Sequence, residues 1–539
     1  MRNPWLSGSF LISLLALVPA ASVLWALTVR SGEIAHLFQT VLSGYIVNTL
    51  VLMIGVGTLA TIIGVSTAWL VTAIDFPGRR WFSWLLGLPL AAPAYIIAYV
   101  YTDLLDFSGP VQSTMRQLFS IGAADYSFPE IRSLPGACLV LGFVLYPYVY
   151  LLARASFAAQ SRSQFMAART LGLSPLGAFF RVVLPGARPA IAGGLALVLM
   201  ETLADFGVAE YFAIPTLSTG VFRTWLAMGD RISAMKIAAV MLLFVMILVT
   251  LEAVSRRGNV ASEDRLSAGK PPMVAGGFGA AMAIGVCLVP VLIGFLIPVG
   301  QLIFYAVKVG DGVGATTLSG YALSSIQLGL YTAVFAGVLA VFLGYAQRAS
   351  LIAGSASALL RGSIRAATLG YALPGALLAV GLLVPFASID RALAKTIEAI
   401  TGERTGLILT GSIALLVYAL IIRFLTVAFN SVSGGFAKIP LSMDHAARSL
   451  GKTRSDVIRL VHIPLLAPSL GAGCALVFVD TIRELPATLI LRPFNFETLA
   501  TRVYRLASDE RIAEASTAAL LIILVGTIPL LLMARFEQK

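Results

Sequence analysis

The sequence predicts an all-α, polytopic membrane protein of about twelve transmembrane helices, built as two parallel copies of a six-helix unit. Three observations carry that prediction. The 539 residues are 58% hydrophobic and only 12% charged, with a mean hydropathy of +0.91, whereas a soluble domain carries about 25% charged residues. Apolar runs of about 20 residues, the length a spanning helix needs, recur along the whole chain. The second half of the chain also repeats the first in the same order.

The spans are expected near 9–29, 45–73, 83–105, 136–157, 191–213, 236–255, 274–307, 321–347, 363–388, 406–429, 470–491 and 511–534. The first resembles a signal peptide in length but lacks a convincing small-residue cleavage site, so it is read as a spanning helix. Tyr99, Tyr101, Asp103 and Asp106 fall at the outer end of the third span. They suit either an entrance or the aromatic belt of the membrane interface. Cys138, Cys287 and Cys474 sit in apolar runs, spaced for neither a disulfide nor a metal, and read as small packing residues. His36, His445 and His462 are too scattered for a metal site. The polar, Gly- and Pro-bearing stretch Ser255–Pro272 reads as a cytoplasmic linker. The domains are therefore expected at 1–256 and 274–539, joined by 257–273.

Net charge is +12. In a soluble protein that would raise nucleic acid as a partner. Here Lys and Arg crowd the segments on one face of the membrane, while acids balance them on the other. That is the positive-inside bias. It places both termini in the cytoplasm and accounts for the basic excess without nucleic acid.

The repeat is explicit. "AARTLGLSPLGAFFRVVLPGARPAIAGGLALVLMETLADF" from Ala167 aligns without a gap on "AARSLGKTRSDVIRLVHIPLLAPSLGAGCALVFVDTIREL" from Ala446. Upstream, "LAAPAYIIA" resembles "YALPGALLA", pairing Pro93 with Pro374. Downstream, "VFRTWLAMGDRI" resembles "VYRLASDERI". Self-similarity of this length means two copies of one unit. An even number of spans per copy makes the repeat parallel, with its pseudo-two-fold axis along the membrane normal. Both Ala-Ala-Arg stretches then face the cytoplasm.

Gly451-Lys452-Thr453 has the look of a phosphate-binding loop. Such a loop needs an earlier glycine where Ala446 stands, and a strand before it. The first copy reads Gly172-Leu173-Ser174 at the same place. The repeated unit keeps the glycine and drops the lysine, so no ATP site is expected. Each copy instead predicts a helix, a turn at Leu-Gly, a second short helix and a proline. A short amphipathic elbow of this kind suits docking onto a partner protein or lying on lipid headgroups.

The spacing Ala-Ala-x3-Gly-x9-Val-x-[Leu/Ile]-Pro resembles the "EAA" loop of ABC-importer permeases. Ala167, Ala168, Gly172, Val182 and Pro185 match in the first copy, and Ala446, Ala447, Gly451, Val461 and Pro464 in the second. The glutamate of the pattern is replaced by Met166 and His445. "LPLAAPAYIIAYVYTDLLDFSGPVQ", "METLADFGVAEYF" and "RELPATLILRPFNFETLATRVYRLASDERIAEA" resemble the fused, two-domain permeases that import ferric iron. Thiamine, polyamine, sulfate and molybdate permeases are relatives. The resemblance implies coupling loops at about 158–190 and 430–469 that seat two copies of an ATPase subunit. It also implies an extracytoplasmic ferric-binding protein, an inner-membrane location and no cofactor on this chain, ATP being used by the partners. An ion-driven secondary transporter is the competing class, against which the parallel repeat and twin elbows speak. No nucleophile–base pair suggests an enzyme.

Charges inside spans are costly and mark either a pathway or a scaffold. Glu201 and Asp205 are four residues apart on one helix, and Asp480 and Glu484 repeat them, with Arg483 alongside. Carboxylate oxygens suit a hard cation. A scaffold role, with the acids neutralised by Arg483, Arg223 or Arg505, is the alternative. The segments Arg223–Arg231 and Arg505–Arg511 are expected to meet the binding protein or form the outer gate, and Tyr101, Asp103 and Asp106 join Arg223 and Arg505 on the candidate binding-protein side.

Overall fold

The computed structural model describes residues 4–29, 40–120, 122, 126–160, 162–256, 273–310, 314–352, 358–403 and 406–537. Of the expected linker 257–273, only Met273 lies within the described residues. The main helices are α1 (Pro4–Ala26), α2 (Leu42–Ala73), α3 (Ala94–Leu105), α4 (Leu134–Ala159), α5 (Arg162–Thr170), α6 (Leu184–Ala204) and α7 (Arg231–Arg256). They continue with α8 (Gly277–Val291, prolonged to Lys308), α9 (Ala315–Ile352), α10 (Gly375–Thr401), α11 (Ile413–Ala437), α12 (Leu441–Ser449), α13 (Ile463–Ile482) and α14 (Ile512–Glu537). Among the described residues, eleven helices are long and apolar enough to cross a membrane. A twelfth span results if the bent pair Arg79–Ala91 and Ala94–Phe119, angled at 88°, crosses as one.

Four expected spans are interrupted, and the interruptions repeat. The spans placed at 83–105 and 363–388 do not run through. In each a 3₁₀ turn, Leu88–Ala91 or Leu369–Ala372, precedes a helix whose N-cap is Pro93 or Pro374. Proline pushes the preceding residue out of the helical region, and Ala92 and Leu373 are extended. The spans placed at 191–213 and 470–491 stop at Ala204 and Ile482, and short helices Gly207–Tyr211 and Pro486–Leu491 follow.

The chain forms two compact units, and neither follows the repeat boundary in the sequence. One gathers α1, the start of α7 and the chain from α9 to Tyr504; the other gathers α2 through Gly220, the rest of α7, α8 and the chain from Arg505. Each unit thus builds its core from one half of the sequence and takes outer helices from the other. In the first unit α9, α11 and α13 pack around Leu343, Leu416, Leu420, Val432 and Leu466, all buried. Ala333, Ala336 and Ala340 form the contact stripe of α9, the small residues that let helix backbones approach in lipid. α1 adds itself with a stripe of Ser9, Ser13, Ala16, Pro19, Val23 and Ala26, spaced at helical period. Its crossing with α10 is so close that a Cβ on Gly381 would lie 2.6 Å from the Pro19 carbonyl oxygen. In the second unit α2, α4 and α6 form the equivalent core, and α8 and α14 are the added helices.

The two cores repeat at atomic detail. Thr49 Oγ1 on α2 accepts the Leu217 N–H at 3.0 Å, and Ser325 Oγ on α9 accepts the Leu499 N–H at 2.8 Å. Thr219 Oγ1 accepts the Thr216 N–H at 2.8 Å, and Thr501 Oγ1 the Thr498 N–H at 3.0 Å. In lipid these donors have no water to turn to, so the hydroxyls hold the chain at the same point in each unit.

Candidate functional site

The elbow begins where α5 ends. Three backbone bonds close it: Leu171 N–H to the Ala167 carbonyl at 3.0 Å, Gly172 N–H to Arg169 at 3.1 Å and Leu173 N–H to Ala168 at 3.2 Å. At the end of α12 the same bonds run from Leu450 to Ala446, Gly451 to Arg448 and Lys452 to Ala447, at 3.2, 3.0 and 3.1 Å. This is the Schellman ending, in which the residue after the cap turns left-handed and glycine is favoured. Gly172 has φ 87° and Gly451 φ 76°. The Ala-Ala-Arg and the glycine of the repeat are therefore one device: the carbonyls of that triplet are spent on the turn.

A second helix start follows at once. Ser174 accepts the Gly177 N–H at 3.0 Å, and Thr453 accepts the Asp456 N–H at 3.3 Å while Asp456 accepts the Thr453 N–H at 3.0 Å. The N–H groups of Gly451, Lys452 and Thr453 are thus all engaged within the elbow. Val182 and Val461 lie in single π turns, Phe179–Val183 and Ile458–His462, just ahead of Pro185 and Pro464 near the start of α6 and α13. A proline ring clashes with the carbonyl four residues before it, and the wider π turn relieves that clash while the helix continues. Ala168 is buried, while Ala167 and Ala446 face outward. The turn residues Leu171 and Leu450 are 84% and 78% exposed, each flanked by other open apolar side chains, Leu176 and Phe180 in one elbow and Met443 and Leu460 in the other.

The two elbows are anchored by different chemistry. In the first, Trp69 of α2 packs on Phe165 of α5 and on Phe179 of the π turn, ring centroids 5.6 and 4.7 Å away, with Phe157 of α4 at 6.0 Å. In the second, the counterparts of Phe165 and Val183 are Asp444 and His462. Asp444 and Arg348 of α9 form a buried ion pair, and His462 Nε2 lies 2.9 Å from the other Asp444 oxygen. Sequence reasoning did not single out Arg348 or Asp444. The repeat alignment held the signal, because two apolar positions of the first copy become ionisable in the second.

The acids of the broken spans are divided by the structure. Asp205 accepts the Ala209 N–H at 3.1 Å, across the break after α6. Glu484 does the same after α13, accepting from Ala487 and Thr488 N–H, both at 3.1 Å, and from the Thr488 hydroxyl at 3.0 Å. Arg423 of α11 stands 3.5 Å from the buried Glu484. Asp480 pairs with Arg483 one turn on. Glu201 is half-buried. Asp205 and Glu484 therefore cap the helices that follow the breaks, where unmet N–H groups carry partial positive charge.

On the expected outer side, Tyr101 donates to the Ile293 carbonyl at 2.6 Å, and Asp103 accepts from Tyr305, so both residues hold α8. Asp106 accepts the Phe107 N–H at 2.9 Å and shapes the turn into the helix Pro110–Phe119. Arg223 is half-buried at the start of a π turn, and Arg505 is exposed on the helix Leu499–Ser508. Glu510 takes a left-handed φ of 59° and pairs with Arg132 at 3.5 Å.

Two homologous helical halves that each turn at the same glycine agree with the resemblance of the repeated motif to ABC-importer permeases. Residues 60–259 match the family described as "Binding-protein-dependent transport system inner membrane component". The chain is similar to an Fe(3+)-transport system permease protein of Haemophilus influenzae, 23% identical over 522 residues, which covers 95% of this chain and 93% of that one. It is also similar to a sulfate transport system permease protein of Escherichia coli, 30% identical over 149 residues, 28% of this chain and 48% of the relative. A sulfate permease of Salmonella typhimurium is 26% identical over 152 residues, 28% of this chain and 52% of that one. The chain thus spans about half the length of the sulfate relatives. The likeness, over residues 60–259 to the family and over nearly the whole chain to the ferric permease, is to inner-membrane permeases of binding-protein-dependent transport.

Proposed function

We propose that the chain forms the pathway by which ferric iron, delivered by an extracytoplasmic binding protein, crosses the inner membrane at the expense of ATP hydrolysed by two cytoplasmic partner subunits. The single observation that carries iron over another cargo is the end-to-end likeness to a ferric permease, 95% of one chain against 93% of the other. Both termini and both elbows lie in the cytoplasm on this reading, which the distribution of Lys and Arg supports. Each elbow offers an apolar tip, Leu171 or Leu450, on a turn held by its own backbone bonds. Such a preformed knob loses little entropy on entering a partner cleft. Lys452 is a surface charge, and ATP is bound and split by the partners.

The acids take two roles. Asp205 and Glu484 hold the breaks after α6 and α13, and Glu484 is braced by Arg423. Glu201 and Asp480 are half-buried at the same place in each copy and are the candidates to meet the cargo, Asp480 beside its ion pair with Arg483. Weak oxygen sites suit a hard cation that must also leave.

The test is reconstitution of the chain with its ATPase and binding protein in vesicles, measuring uptake of radiolabelled ferric iron and of sulfate. ATP-dependent iron uptake that requires the binding protein is expected. Sulfate uptake without iron uptake would reassign the cargo. ATP hydrolysis by the chain alone would overturn its role as a permease without an ATPase site.

A further inference from the structure

We propose that Arg348, Asp444 and His462 form an ionic clasp that sets the angle of the second elbow, a positioning device for coupling that the first elbow lacks. The proposal rests on the reading that the elbows receive the ATPase subunits. All five N–H donors of the Arg348 guanidinium are used. Nε and one terminal nitrogen donate to the same Asp444 oxygen, the former at 3.0 Å. The remaining donors reach the carbonyls of Phe436 at 3.1 Å, Ile439 at 2.9 Å and Pro440 at 3.0 Å. Arg348 therefore caps the end of α11, fixes the turn into α12, and grips α12 itself through Asp444. His462 Nε2, on the π turn leading into α13, stands 2.9 Å from the second Asp444 oxygen. The four elements α9, α11, α12 and the π turn before α13 thus converge on one carboxylate. Asp444 is 2% exposed and His462 0%.

The mechanical consequence follows from the directionality of the bonds. A guanidinium is a rigid planar fork whose donors have fixed directions, so α12 cannot rotate without breaking several charge-assisted bonds together. The first elbow is held by Trp69, Phe157, Phe165 and Phe179. Aromatic pairs accept a range of offsets and tilts at little cost, so that elbow can shift while staying packed. The second elbow acts as a stiff lever and the first as a compliant one. Filling a buried site needs no charge, since well-packed apolar residues in place of a buried pair are often as stable. The first copy is itself an apolar solution at the same framework position.

The experiment compares the wild-type complex, chain with ATPase and binding protein in vesicles, with three variants. Asp444→Asn removes the charge that Arg348 grips. Arg348→Lys keeps the charge and loses the fork. The triple change Arg348→Met, Asp444→Phe and His462→Val refills the site with apolar side chains, two of them those of the first copy. Cargo transported per ATP hydrolysed is read beside assembly and thermal midpoint. Arg348→Lys and the triple variant should assemble, yet transport per ATP should fall about tenfold, the factor that corresponds to about 1.4 kcal/mol. Asp444→Asn should lose at least as much. A matched change in the first elbow, Phe165→Leu, should leave the ratio within about twofold, consistent with non-directional packing. Wild-type coupling in Arg348→Lys or in the triple variant would overturn the clasp, since the cluster would then only fill space. If wild type itself shows no ATP-driven uptake, the functional reading fails and the clasp falls with it. Intact wild-type uptake with unchanged variants refutes the clasp alone.

Discussion

Replacing Gly172 or Gly451 by alanine isolates one physical term in the elbow. Both glycines are left-handed, with φ 87° and 76°. An ideal Cβ at either position meets no heavy atom within 4 Å. The substitution therefore creates no clash, and its cost is that of holding an L-residue left-handed, about 1–2 kcal/mol. That cost falls on the turn and not on the span, because the bonds at stake are those closing α5 and α12. A destabilisation of this size raises the open population about 5–30-fold. Hydrogen exchange read by mass spectrometry on peptides covering 165–174 and 444–453 measures it through the amides of Leu173 and Lys452, which donate across the turn. Exchange in the spanning peptides should be unchanged. Asparagine, which tolerates the left-handed region, should cost visibly less than alanine. Proline, locked near φ −65° and without an N–H, should cost more and abolish ATPase capture. If the alanine variants exchange as wild type does, the Schellman ending does not hold the elbow.

Two further expectations test the scaffold. Glu484→Gln should lower the thermal midpoint more than Asp205→Asn, because it leaves the nearby Arg423 uncompensated in a buried setting, a loss of about 3–5 kcal/mol, whereas Asp205→Asn weakens one 3.1 Å cap bond worth about 1 kcal/mol; the reverse order would refute their division. Gly381→Ala should loosen α1, since the new methyl would stand 2.6 Å from the Pro19 carbonyl oxygen and overpacking costs about 1–3 kcal/mol. A cysteine cross-link between α1 and α10 that forms as fast as in wild type would show that the crossing adapts.

Much of the elbow was legible in the chain, and the reason is that its information is local. A Schellman ending needs little more than a glycine at the end of a helical run. The proline after the second helical run is equally plain in the chain, but the π turn ahead of it is not, since Pro19, Pro147 and Pro468 sit inside helices without one. The span acids show the limit. Glu201, Asp205, Asp480 and Glu484 look equivalent in the alignment, yet two of them spend their carboxylates on backbone N–H groups across a break. The breaks themselves escaped hydropathy, because Val208, Thr488 and their neighbours are as acceptable to lipid in a short helix as in a long one.

The sequence by itself determined a membrane protein, from the density of apolar runs; a parallel duplication, from a gapless register; and two elbows, from a glycine and a proline at the same spacing. These are properties of composition and of contacts a few residues apart. Only the tertiary structure decided that α1 packs with α9 and α10, and α8 with α2, α3 and α14. The exchange depends on small residues meeting across hundreds of positions, and in lipid no polar–apolar alternation marks which face will meet which partner. Tertiary structure alone likewise brought Arg348 to Asp444 and His462, because a buried charge is stable only where distant elements supply its partners together.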